Sequence, residues 1–213
     1  MATRRILSRW GLGFGLGLIV LALVVAAGLS LLVDAGAYNV AADAPHSGPV
    51  ARLLDTVRIR SVAVRAQNVV RPGDLADPKR VAAGAGLYKE MCSGCHLAPG
   101  MEPSEISQGL YPRAPALIKP TGLTPEQEFW VIKHGIKMSG MAAWGVTHSD
   151  DLIWNMVAFI DRLPSLSADD YRAATKDSGE EHEHMMHGPP SGSSESHDHG
   201  ENDGNRHDYE HRH

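Results

Sequence analysis

The stretch Gly84-Ala85-Gly86-Leu87-Tyr88-Lys89-Glu90-Met91-Cys92-Ser93-Gly94-Cys95-His96 contains both cysteines of the 213-residue chain. Two thiols separated by two residues lie one helical turn apart, and an imidazole follows directly. This C-x-x-C-H pattern is an attachment site for covalent haem c, one per chain. Each thiol can add to one vinyl group of the porphyrin, and His96 is then delivered to one face of the iron as proximal ligand. Other chemistries fit less well. A thioredoxin-like redox pair needs a βαβ context, and no sustained period-2 alternation surrounds it. Half of a zinc site needs two more ligands at finger spacing, which His134 and His148 do not provide. A plain disulfide leaves His96 without a role.

Working outward, the spacing predicts a helix from about Asp77 to Met91. Thr124-Pro125-Glu126-Gln127 starts another, with Thr124 as N-cap, Pro125 at the first helical position and Gln127 closing a capping box. That helix carries Phe129, Trp130, Val131 and Ile132 and stops near Gly135. A third begins at Thr147 or Ser149 and ends before Pro164. The expectation is an all-α domain over 78–176, with its periodic core in 78–163.

Upstream, residues 10–33 contain no charge, and 24 residues at about 1.5 Å each exceed the roughly 30 Å hydrocarbon thickness of a bilayer. Arg4, Arg5 and Arg9 precede this run, so residues 1–9 are expected in the cytoplasm and the rest across the membrane. Ala35-Gly36-Ala37 offers a competing reading as a signal-peptide cleavage site. Signal-peptide hydrophobic regions run about 7–15 residues, however, so a retained anchor is preferred. Residues 34–77 form a connector. Within it Val50, Leu53, Leu54 and Val57 fall at i, i+3, i+4 and i+7, ringed by Arg52, Arg58, Arg60 and Arg65. This basic amphipathic helix is expected to pack on the domain or a partner, with a membrane-surface helix as the alternative.

Downstream, residues 177–213 carry ten acidic side chains against two arginines, and few large apolar groups. Such a segment cannot offset the entropy of ordering and is expected to be disordered. It contains eight of the twelve histidines, including His182, His184, His187, His197 and His199. Alternating imidazoles and carboxylates suit a divalent transition metal such as copper, nickel or zinc, bound weakly and with little selectivity. The plainer alternative is a solubilising acidic tail. The formal charge of −5 thus divides into +3 before the anchor, none net over 34–176 and −8 in the tail. No basic face is left to recommend nucleic-acid binding.

Residues 80–163 resemble the class I, mitochondrial-type, monohaem c-type cytochromes, in a membrane-anchored bacterial form with a His-rich tail added. Gly84-x-x-x-Tyr88-x-x-x-Cys92 is similar to the family's N-terminal helix, where the glycine permits close helix crossing. Phe159 stands where the family's aromatic rests on that glycine. Pro115-Ala116-Leu117 is similar to the segment whose proline carbonyl accepts a hydrogen bond from the proximal histidine. For the second axial ligand the candidates are Met138, Met141, His134 and His148. The resemblance implies Met141, followed by Trp144, with Gly140 letting the backbone approach the ring. Here Ala142 replaces the customary proline. His134 and His148 are expected at the surface or in caps. Residues 37–46, Ala37 to His46, resemble the leader of some membrane-anchored bacterial cytochromes; with the anchor and its preceding arginines, the expectation is a bacterial inner-membrane protein with its haem domain in the periplasm.

The resemblance therefore implies an electron carrier rather than an enzyme, with no catalytic residue and with a redox protein as donor and another as acceptor. Two alternatives stand beside it: a haem-bearing subunit of a membrane oxidoreductase complex, and a metal-handling protein acting through the tail. A five-coordinate gas-binding four-helix cytochrome is discounted, because its C-x-x-C-H would lie near the C-terminus.

Overall fold

The computed structural model describes residues 2–176. Helix α1 (Ala2–Asp34) is followed by α2 (Gly48–Arg65), which runs into a 3-10 turn at Ala66–Asn68. The domain comprises α3 (Pro78–Met91), α4 (Ser93–His96), α5 (Glu105–Gly109), α6 (Pro125–His134), α7 (Asp150–Arg162) and α8 (Ala168–Ala174). Among the described residues there are no strands, so the all-α expectation holds.

Helix starts are set by side chains that accept from otherwise unpaired backbone N–H groups. Asp77 accepts from the Lys79 amide at 2.8 Å, with Pro78 in the first turn. The Thr124 amide donates to Gln127 Oε1 at 3.0 Å, and the Gln127 amide returns the bond to Thr124 Oγ1. Ser149 caps α7, and α6 ends at Gly135, as the sequence indicates.

The core forms where α3 crosses α7. A Cβ on Gly84 would lie 1.9 Å from the Asn155 carbonyl oxygen and 2.9 Å from Phe159 Cβ, so only a glycine allows these backbones to approach so closely. Leu87, Tyr88, Ile153, Met156, Val157, Phe159 and Leu163 are all but sealed from solvent. Phe129 of α6 stacks on Trp154 of α7 with ring centroids 4.3 Å apart. The Arg80 guanidinium links the contact at its edge, reaching Asn155 Oδ1 at 2.8 Å, Asp151 at 2.9 Å and Asp74 at 3.0 Å.

Helix α1 differs from the rest. Phe14–Asp34 has a mean hydropathy of 2.9 and none of it is buried. Its 21 residues rise about 31 Å, enough to cross a bilayer. An apolar stretch with none of its residues buried in the protein is consistent with a membrane anchor.

In α2 the packing differs from the expectation. Most of the predicted stripe does not face the domain: Val50 is half-buried, but Leu53, Leu54 and Val57 are 64%, 46% and 57% exposed. The contact is made instead by Val62 and, just past the helix, Ala66, which are buried where α2 and its 3-10 extension meet α6. Three short helices add to the predicted set: α4; α5, capped by Ser104; and α8, whose Tyr171 packs edge-on against Tyr88. Lys89 Nζ donates to the Thr175 carbonyl at 2.9 Å, fastening the end of the domain to α3.

Candidate haem site

Cys92 and Cys95 are placed by the junction of α3 and α4. The Cys92 amide continues the α3 ladder to the Tyr88 carbonyl at 2.9 Å, and the Cys95 and His96 amides both donate to the Cys92 carbonyl. The two side chains thus sit on one turn and are not joined to each other as a disulfide. Cys92 is buried and Cys95 half-buried. Burial, reinforced by the neighbouring Cys95, pushes the Cys92 thiol up to about 12. Among the described residues no cluster of three or more His, Cys, Asp or Glu side chains is grouped to hold a metal ion.

His96 is oriented from behind. Its Nδ1 lies 2.8 Å from the Pro115 carbonyl oxygen, which can only accept, so Nδ1 carries the hydrogen. Nε2 is left with its lone pair available for a metal on the opposite edge of the ring. Burial lowers the His96 pKa, opposed by the bond to Pro115, so the neutral ligating form is favoured. The same loop is pinned a second time, by the Leu117 amide donating to the His96 carbonyl at 3.0 Å.

Other supports carry no obvious sequence signature. Leu97 adopts a φ of 62°, a left-handed conformation that favours glycine. Its carbonyl accepts from the Tyr88 hydroxyl at 2.5 Å, so Tyr88 fixes the turn leaving the motif as well as packing on Phe159. Ser104 Oγ donates to the Gly94 carbonyl at 2.5 Å, and Ser93 Oγ to that of Lys89 at 2.6 Å. His46 is half-buried: its amide donates to the Tyr111 hydroxyl at 2.8 Å, its ring meets Tyr111 edge-on, and Nδ1 bonds the Tyr38 hydroxyl. The connector is thereby attached to the loop that carries Pro115.

On the other candidate ligands the structure separates the two methionines. Met141 is half-buried and packed on the core, whereas Met138 is 95% exposed. The loop between α6 and Met141 closes without a proline. Ser139 Oγ donates to the Ile136 carbonyl at 2.7 Å and accepts from the Met141 amide at 3.2 Å, and the Ile136 amide donates to the Met141 carbonyl at 3.2 Å. Gly135 is required at its base, since its φ is +63° and a Cβ there would lie 2.7 Å from the Met141 carbonyl oxygen. Gly140 is pressed against Leu110, a Cβ there falling 2.5 Å from Leu110 Cδ2, so its smallness serves that contact.

His134 is exposed, as expected. His148 is not at the surface: it is 7% exposed, edge-on to Trp144 at 5.5 Å, with Nδ1 2.8 Å from Thr147 Oγ1. Burial follows from its place between the Trp144–Val146 turn and the start of α7. Histidines 182, 184, 187, 197 and 199, and the expected disorder of 177–213, lie outside the described residues.

The donor set fits a covalent haem. Two thiols lie on one turn, a neutral imidazole is hydrogen-bonded through Nδ1, and a thioether side chain is held in a closed loop. Residues 79–160 match the family model described as cytochrome C oxidase, cbb3-type, subunit III. No curated protein and no solved structure matches the chain. The match over residues 79–160 supports a cytochrome c domain, and such a domain implies covalent haem c and electron transfer.

Proposed function

We propose that this protein is a membrane-anchored monohaem cytochrome that passes single electrons between redox proteins on the periplasmic side of a bacterial inner membrane. The observation that carries this reading is the His96–Pro115 hydrogen bond behind the C-x-x-C-H turn, which leaves Nε2 free to coordinate. Haem bound there supplies one-electron chemistry through ferrous and ferric iron. Cys92 and Cys95 provide the covalent tethers, His96 the proximal ligand and Met141 the distal one. Tyr88, Leu97 and Pro115 hold the proximal turn, and Ser139 and Gly135 hold the distal loop. A ligand frame fixed on both sides limits rearrangement when the charge changes. No side chain is required to act as acid, base or nucleophile.

Residues 1–9 face the cytoplasm in this reading, α1 spans the membrane and residues 34–77 connect it to the 78–176 domain. The family match favours one alternative specifically, a haem-bearing subunit of a membrane oxidoreductase. Extraction of the full chain in mild detergent separates the two: a free carrier elutes alone, whereas a subunit retains a stoichiometric partner. The imidazole-rich stretch His182–His199 adds weak divalent-metal binding outside the haem domain. Calorimetry with copper, nickel and zinc on the full chain and on residues 1–176 tests it, and equal binding by both forms removes the tail from metal handling.

A further inference from the structure

Helix α2 has two apolar faces, and the domain covers only one. Val62 and the following Ala66 are buried against α6. At about 100° per residue, Leu53, Leu54, Val57 and Val64 fall within an arc of about 100° on another side. All four are exposed, Val57 and Val64 by 57% and 58%. Arg58 and Arg65 border that arc on one side and Arg60 on the other. Asp55 is the only acidic residue of the helix.

From this arrangement we propose that α2 lies on an anionic phospholipid surface, its exposed stripe in the headgroup boundary and its arginines on lipid phosphates. Three observations select lipid over a protein occupant. The span Phe14–Asp34 ends thirteen residues before α2, and that tether reaches at most about 45 Å, so α2 is confined near the bilayer. The flanking cations match anionic headgroups in sign, and long arginine stems can lie along an embedded stripe with their heads at the phosphates. The covered face points away from the stripe, so the domain stands on the water side of the helix and does not obstruct the contact. The tether is itself shortened by the Tyr38–His46–Tyr111 contacts, which tie residues before α2 to the Pro115 loop. Lipid contact by α2 would therefore fix the height and tilt of the proposed haem site above the membrane.

This inference rests on α1 being the anchor, and the experiment separates the two. The full holoprotein is placed in nanodiscs of pure phosphatidylcholine or of phosphatidylcholine with phosphatidylglycerol. A spin label is attached in turn to V57C, I59C and V24C, and collision with oxygen is compared with collision with a water-soluble nickel chelate. The unsubstituted chain, whose thiols are tied up by haem, reports background labelling. The expected result is a severalfold higher oxygen-to-nickel ratio at position 57 than at 59 in anionic discs. That difference should fall in pure phosphatidylcholine and when Arg58, Arg60 and Arg65 are changed to Glu. Equal ratios at 57 and 59 in anionic discs, with 24 in lipid, overturn the inference while the anchor stands. Protection at 57 that ignores lipid charge and persists in detergent assigns the stripe to a protein and also overturns it. Position 24 in water overturns both.

Discussion

Replacing Gly84 with alanine tests the helix crossing on which the proximal side of the site is built. The new Cβ would lie 1.9 Å from the Asn155 carbonyl oxygen, whereas ordinary contacts begin at 3.4 Å, so α3 and α7 must separate by about 1.5 Å. Neither neighbour can yield cheaply, because one is backbone and the other is the Cβ of buried Phe159. Overpacking of this kind costs about 3 kcal/mol, at the upper end of the usual range. Alanine recovers about 1 kcal/mol in helix propensity over glycine. The net loss is about 2 kcal/mol, which for a domain of this size lowers Tm by roughly 8–16 °C. The assay is thermal unfolding of the full holoprotein in detergent, followed by far-ultraviolet circular dichroism and by haem absorbance. G109A is the control, since a Cβ there meets nothing within 4 Å. A G84A variant melting with or above the parent would refute the argument that glycine is needed for contact.

Further outcomes follow from individual contacts. M141A should lose the methionine-to-iron charge-transfer band of the oxidised protein, and M138A should keep it; the reverse pattern reassigns the distal ligand. Glu128 is raised from its ordinary value of 4.5 chiefly by burial, with Asp161 adding to the rise and the Thr121 hydroxyl opposing it. The folded state therefore holds that proton more tightly than the unfolded chain, and stability falls as pH rises from 4.5 through the folded pKa. E128Q should be more stable than the parent at neutral pH and no more stable below pH 4.5, as read by paired thermal melts; a gain independent of pH would contradict this. Y111F removes the acceptor of the His46 amide, a bond worth about 1 kcal/mol. Exchange of that amide should quicken about fivefold, measured by hydrogen–deuterium exchange, with the α7 amides unchanged.

The parts of the fold legible in the sequence are those where one residue type has one local job. Thr124-Pro125-x-Gln127 specifies its own capping box, Gly135 ends α6, and the spacing of α7 marks a helix buried on most sides. The proline expected behind the proximal histidine accepts the His96 bond. What escaped reading depends on partners distant in sequence. The docking face of α2 uses Ala66, which apolar counting ignores, while the conspicuous Leu53-Leu54-Val57 pattern stays uncovered. Helix α8 gives the core little beyond Tyr171, so its seven residues show no periodicity. His148 is buried because a 3-10 turn and the start of α7 fold over it, and a single histidine does not signal that. The left-handed Leu97 is legible only once the Tyr88 hydroxyl is seen to hold its carbonyl.

In the proposed holoprotein both cysteines are spent on one haem held by His96. The most direct measurement of this is a thiol count on the denatured holoprotein, coupled with the pyridine haemochrome spectrum of the same sample after acid-solvent extraction. The chain has two cysteines. The expected result is no reactive thiol, one haem retained per polypeptide, and a spectrum showing both vinyl groups saturated. Two reactive thiols with extractable haem, or no haem at all, would contradict it.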